Sequence, residues 1–146
     1  MDWQMFFFST SGRFNRARYI LAMLVYIGVT FVAVLAGLFL LTGMSPNAFA
    51  IVYVVGGLIF GAIFFSSMAV AIKRLHDRNK SGWWAVLFLV LPALLNSAST
   101  GLVDPSTGHT MQIVAGVLTI WGFVELVCLR GTRGANPFGE DPLANS

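Results

Sequence analysis

From Tyr19 to Leu41 the chain runs for 23 positions without a charged side chain. At about 1.5 Å per residue, a helix of that length crosses a hydrocarbon layer of about 30 Å. Similar apolar runs follow at Ala48–Ile72, at Trp83–Leu95 with Asn96–Ser99 extending it, and at Met111–Leu129. A soluble domain needs about 25% charged residues to face water. This chain has 10%, with 57% hydrophobic residues and a mean hydropathy of +0.79. Its outside is built for lipid, and residues 1–146 read as one membrane domain.

The cations set the topology. All nine Lys and Arg lie in three places: Arg13, Arg16 and Arg18; Lys73, Arg74, Arg78 and Lys80; Arg130 and Arg133. Four spans, at about 19–41, 48–72, 83–99 and 111–129, put all three clusters on one side. The opposite loops, Thr42–Asn47 and Asn96–Thr110, contain neither Lys nor Arg. By the positive-inside rule both termini, including the tail 130–146, are expected in the cytoplasm. The expected fold is thus an all-α bundle of four transmembrane helices. The first run exceeds a signal-peptide core and lacks a small-residue cleavage site, so it reads as retained. A net charge of +3 and a pI near 9.5 follow from this basic rim. They point to anionic lipid headgroups rather than nucleic acid, for which no recognition motif is present.

Several local expectations follow. Met1–Phe8, too short to span and rich in aromatics, reads as a short interfacial segment. Ser9–Gly12 offers N-cap hydroxyls, and on a helix Arg13 and Arg16 would share a face. Gly57 and Gly61, with Gly56 alongside, have the spacing that lets helices approach closely, and Ala33 and Gly37 offer a matching surface. Lys73–Lys80 reads as a loop, and Ser81 as a cap for the third span. Pro92 should kink that span. Thr100–Thr110 reads as a polar loop, and Cys128, the sole cysteine, as a small packed side chain.

Three motifs, GRFNRARY, RLHDRNKSGWW and GTRGANPFGEDP, stand at the ends of spans. Together they resemble the bacterial inner-membrane family called domain of unknown function 805, over nearly the whole chain. The matching positions are Gly12, Arg13, Arg16, Arg74, His76, Asp77, Ser81, Gly82, Trp83, Gly131, Gly134, Asn136 and Gly139. Where that family has Tyr-Trp after the first arginines, this chain has Tyr19-Ile20. The resemblance implies a small multi-pass inner-membrane protein and no assigned activity.

Of these residues, Arg13, Arg16, Arg74, His76, Asp77, Trp83 and Asn136 are the candidates for a cytoplasmic clamp or binding surface. Asp77, the one acid in its loop, is expected to take a bidentate arginine, Arg13 or Arg16. Trp83 and Trp84 fit the headgroup level. Tail glycines should turn the chain back under the bundle. His76-Asp77 has the composition of an acid–base pair, but adjacent helical positions do not face each other. No catalytic residues, metal site or cofactor are expected, and His109 falls on the opposite side from His76. Glu125, the one ionisable residue within a span, is either an intramembrane functional carboxylate or a partner for a nearby cation. The favoured reading is a scaffold or accessory subunit that binds a protein partner or anionic lipid, alone or as a homo-oligomer. An oligomeric small-solute transporter or channel near Glu125 comes second. A lipid-headgroup enzyme at Arg74, His76 and Asp77 comes last.

Overall fold

The computed structural model describes residues 3–42, 46–100 and 103–144, and these are helical apart from turns and one isolated bridge, Asn136 to Gly139. The helices are α1 (Trp3–Phe8), α2 (Arg16–Leu41), α3 (Pro46–Asp77), α4 (Leu91–Ser99) and α5 (Pro105–Phe123). π-helical turns, Val86–Val90 and Val124–Cys128, lead into α4 and out of α5. Three helices, Arg16–Leu41, Phe49–Asp77 and Pro105–Cys128, are long and apolar enough to cross a membrane, and the apolar Val86–Ser99 is shorter. The most apolar stretch of α2 buries none of its side chains, as expected of a surface that faces lipid.

Helix ends differ from the sequence reading wherever a cap decides them. α2 starts at Arg16 because Asn15 Oδ1 accepts the Arg18 N–H at 2.9 Å, so the hydroxyls of Ser9–Ser11 lie too far upstream to cap it. Arg13 therefore precedes the helix and is buried, whereas Arg16 is exposed, and the two share no helical face. At the end of α2, Thr42 Oγ1 donates to Phe39 O at 2.6 Å. The rest of the expected turn, 43–45, lies outside the described residues, as do Met1 and Asp2 of the expected interfacial segment and 101–102 of the expected loop.

Lys73–Asp77 forms the last turn of α3 rather than a loop. Asn79 takes a left-handed φ of 56° beyond it, Asn79 N–H donates to His76 O at 3.0 Å and Lys80 N–H to Leu75 O at 2.9 Å. This paired ending satisfies two of the helix's otherwise orphan carbonyls. Ser81 does not cap the next helix through its side chain. Backbone bonds build that turn, Ala85 N–H to Gly82 O at 2.9 Å and Val86 N–H to Trp83 O at 3.0 Å. Pro92 is accommodated by the π turn before it. There Leu91 N–H reaches back to Val86 O, and the wider turn relieves the carbonyl that the proline ring would press upon.

Asp104 starts α5 within the stretch expected to be a loop. Its carboxylate accepts from Thr107 N–H at 3.0 Å and Thr107 Oγ1 at 2.9 Å, with Pro105 in the first helical turn. Donation from Ser106 Oγ and from Thr107 holds this carboxyl well below the usual range, so the cap stays ionised.

α4 packs chiefly on α5, and α2 on α3. On α5, the face toward α4 and the π turn before it carries small residues seven apart: Gly108, Ala115 and Gly122, all buried. A Cβ on Gly108 would stand 2.9 Å from Ser99 O, and one on Gly122 would stand 2.9 Å from Phe88 Cβ. The expected small-residue positions Gly37, Gly57 and Gly61 meet nothing within 4 Å, so no close approach within the chain uses them. Gly122→Ala should lower the melting midpoint in mild detergent, by an overpacking cost of about 1–3 kcal/mol. Gly57→Ala should leave it unchanged or higher, because open space and better helix propensity leave nothing to oppose it.

The buried core gathers at one end of the helices. Phe6, Phe14, Tyr19, Ala22, Val70, Ala71, Leu75, Ala85, Phe88 and Leu126 form it. Phe6 docks α1 on α3, with Trp3 and Phe8 left exposed. Cys128 is exposed rather than packed, because the π turn ends there with its side chain outward.

Candidate functional site

At the core end, the last turn of α3 serves three other segments at once. Lys73 is buried, and its Nζ donates to Met5 O at 2.9 Å and Phe6 O at 2.5 Å. These carbonyls are among the last four of α1, which have no partner within the helix and attract a cation. The Phe14 ring lies 4.1 Å from the same ammonium. Arg74, fully buried, does for α5 what Lys73 does for α1. Its Nε donates to Leu126 O at 2.9 Å and its Nη2 to Leu129 O, where the π turn and the helix end leave carbonyls uncommitted. Nη1 adds Phe14 O at 3.3 Å and Asp77 Oδ2 at 2.5 Å.

Asp77 is shared by two guanidiniums. Arg13 Nε and Nη2 donate to Oδ1 at 3.2 and 3.1 Å, while Arg74 takes Oδ2. The expected arginine partner is therefore Arg13, not Arg16, with Arg74 as a second. Arg13 also reaches the tail: Nη1 donates to Gly134 O at 2.7 Å and Nη2 to Thr132 O at 2.7 Å. Thr132 N–H returns to Asp77 O at 2.8 Å. Asn136 Nδ2 donates to His76 O at 2.9 Å, and Phe138 stacks on the His76 ring with centroids 4.0 Å apart. The tail thus folds back under the helices. Gly134 at φ 75° and Gly139 at φ 138° supply turns that other residues resist.

A second ion group sits beside the first. Glu125 is buried and accepts from Lys80 Nζ at 2.6 Å and from Arg78 Nε and Nη2 at 3.2 and 3.1 Å. Arg78 Nη1 also caps Arg130 O at 2.6 Å. Lys80 lies over the Trp84 ring, and Trp84 packs on Phe88 and Trp121. Trp83 is 80% exposed, so the two tryptophans divide between surface and interior.

The nine cations therefore fall into two sets. Arg13, Lys73, Arg74, Arg78 and Lys80 are engaged with backbone carbonyls, Asp77 and Glu125. Arg16, Arg18, Arg130 and Arg133 are exposed, and among the described residues their side chains make no hydrogen bond or salt bridge. Arg13, Arg74 and Asp77 are held inside a structural network, whereas Arg16 and Trp83 stand at the surface. His76 is half-buried under Phe138, and its Nδ1 has no partner among the described residues. No group of metal-ligating side chains occurs among the described residues. Sequence reasoning missed Thr132 altogether, and it named Lys73 and Gly131 without their roles, because the partners are backbone atoms or a carboxylate brought in from another segment.

The family model described as "Protein of unknown function (DUF805)" matches residues 7–140. The chain belongs to this family. The uncharacterized protein YiiR of Escherichia coli is 30% identical over 146 residues, covering 97% of this chain and 90% of that protein. The inner membrane protein YhaI of the same organism is 29% identical over 136 residues, 93% of this chain and 87% of YhaI. The inner membrane protein YhaH is 31% identical over 131 residues, 90% of this chain and 84% of YhaH. No solved structure matches the chain.

Proposed function

We propose that this protein is a four-pass inner-membrane scaffold or accessory subunit with both termini in the cytoplasm. It holds a cationic face against anionic lipid or a protein partner. The observation that carries this reading is the division of the cations. Five are tied by hydrogen bonds and ion pairs to carbonyls and carboxylates at the end of the bundle, while Arg16, Arg18, Arg130 and Arg133 make no such bond through their side chains and stay exposed at that same end. Free arginines beside a bilayer attract anionic headgroups by roughly 1 kcal/mol each. The inner-membrane names of YhaI and YhaH support the location. Val86–Ser99, entered through Trp83 and Trp84, serves as the third and shortest pass.

Transport through Glu125 and lipid chemistry at Arg74, His76 and Asp77 fit less well, since Glu125, Arg74 and Asp77 are all engaged in ion pairs. Orientation is tested with single cysteines at Ser9, Ser106 and Ala144 in a Cys128→Ser background. An impermeant maleimide should reach only Ser106→Cys before the inner membrane is opened. Labelling of Ala144→Cys in intact spheroplasts would reverse the topology. For the function, protein extracted directly into lipid nanodiscs is weighed by native mass spectrometry. Wild type should carry enriched anionic lipid or a stoichiometric second protein. The variant with Arg16, Arg18, Arg130 and Arg133 all changed to Gln should lose it. Equal retention by both, or liposome flux abolished by Glu125→Gln, would overturn the reading.

A further inference from the structure

Between the N-terminal turn of α2 and the start of the tail lies a polar cavity of about 200 Å³. Arg16 lines it from α2, and Arg130 and Arg133 line it from the tail, with Asn15 at the helix entrance. We propose that this cavity is a binding site for a phosphate ester. The inference rests on the reading of a cationic membrane face and adds to it a defined ligand and place.

Arg16, Arg130 and Arg133 are exposed and make no side-chain hydrogen bond or salt bridge among the described residues, Arg130 only feeling the charge of Asp141. The fold brings them from two distant segments around one concavity. Guanidinium donors in a fixed fork match phosphate oxygens, and several around one cavity suit an anion bearing more than one charge. The cavity also abuts the start of a 26-residue helix, whose first N–H groups and dipole favour negative charge. Asn15 uses Oδ1 to cap that helix, so its amide N–H groups are uncommitted among the described residues.

Two carboxylates line the same cavity, and both are already engaged. Asp77 is held through both oxygens by Arg13 and Arg74. Asp141 accepts Leu143 N–H on Oδ1 at 3.0 Å and Gly134 N–H on Oδ2 at 2.9 Å. These backbone donors, with Arg13 and Arg130 nearby, hold its carboxyl below the usual range. Asp141 therefore shapes the tail turn, and of the three lining guanidiniums only that of Arg130 feels its charge. Because Arg16 opens the first long apolar helix and Arg130 follows the last, the proposed four-pass topology puts the cavity at headgroup height.

The test is saturable binding to purified protein in a zwitterionic detergent-free nanodisc, with inorganic phosphate and dioctanoyl phosphatidic acid as separate probes. Arg16→Gln and Arg133→Gln should each weaken binding about tenfold, the loss expected for one charge-assisted hydrogen bond. Arg18→Gln is the control. It removes an exposed arginine two residues from Arg16 that does not line the cavity, and it should change binding less than twofold, within what a surface charge contributes. Binding of inorganic phosphate as well as lipid identifies a soluble phosphate site, and binding of the lipid alone identifies a headgroup site. Either result with this pattern supports the proposal. Absence of saturable binding to both probes, or an Arg18→Gln loss equal to that of Arg16→Gln, overturns it. A general cationic face would survive that failure, because it predicts the equal losses. All three arginines are exposed, so equal melting midpoints without ligand confirm that folding is intact.

Discussion

Arg74→Met should be the most damaging single substitution in the protein, with Asp77→Asn close behind. Arg74 is fully buried, and its guanidinium closes four contacts on three segments: Leu126 O and Leu129 O after α5, Phe14 O before α2, and Asp77. Methionine fills much of the volume but leaves the carbonyls of Leu126 and Phe14, in buried bonds, and that of Leu129, in a part-buried one, without that donor. It also leaves Asp77 with Arg13 alone. Removing one member of a buried ion pair costs about 3–5 kcal/mol, because the remaining charge is left uncompensated. Asp77→Asn keeps the shape but strands two guanidiniums together, and an amide cannot accept from both as a carboxylate does.

Arg74→Lys should not rescue, since one ammonium lacks the planar fork that reaches carbonyls on opposite sides. The measurement is the melting midpoint in mild detergent, together with the fraction that stays monodisperse on size-exclusion after heating. Arg74→Met should be aggregated or unfolded at temperatures where wild type survives, with Asp77→Asn intermediate. Midpoints within a degree of wild type for both would show that the network is ornamental, and the division of the cations would lose its meaning.

How much of this network was legible follows from where each partner sits in the chain. An isolated acid among cations announced that Asp77 needed an arginine, and the three basic clusters announced that Arg13 would be at the same end. Glu125 beside the last cluster likewise pointed to a cationic partner. What could not be read is that Lys73 and Arg74, adjacent in sequence, address the ends of two different helices. Their partners are carbonyls of Phe6 and Leu126, and a backbone carbonyl carries no residue identity. The same blindness explains the small-residue seam. Gly57 and Gly61 have the familiar spacing but face open space, while Gly108, Ala115 and Gly122 are seven apart and carry the contact. Asp104–Thr107 held a readable helix start, an acid followed by proline and hydroxyls, which polarity disguised as a loop.

Gly131→Ala should release the tail, and it does so by a route independent of charge. Gly131 follows Arg130 and faces the carboxylate of Asp77 directly; a methyl group there would overlap it. The carboxylate cannot swing aside, because Arg13 and Arg74 grip both of its oxygens. The tail must therefore move, and with it go Thr132 N–H to Asp77 O and Arg13 Nη2 to Thr132 O. Gly134→Ala makes a useful comparison. Gly134 has a φ of 75° with open space around it, so alanine there meets backbone strain of about 1–3 kcal/mol and no clash.

Limited trypsinolysis reads the difference, since Arg130 and Arg133 are exposed while the backbone around them is held by Arg78 and Asp77. Cleavage after Arg133 in Gly131→Ala should be faster than in wild type by about tenfold or more, the factor that 1.4 kcal/mol of lost local protection produces. Gly134→Ala should fall between the two. If Gly131→Ala is cut at the wild-type rate while its melting midpoint is unchanged, the tail does not rest on Asp77, and the phosphate cavity that shares this wall loses one of its sides.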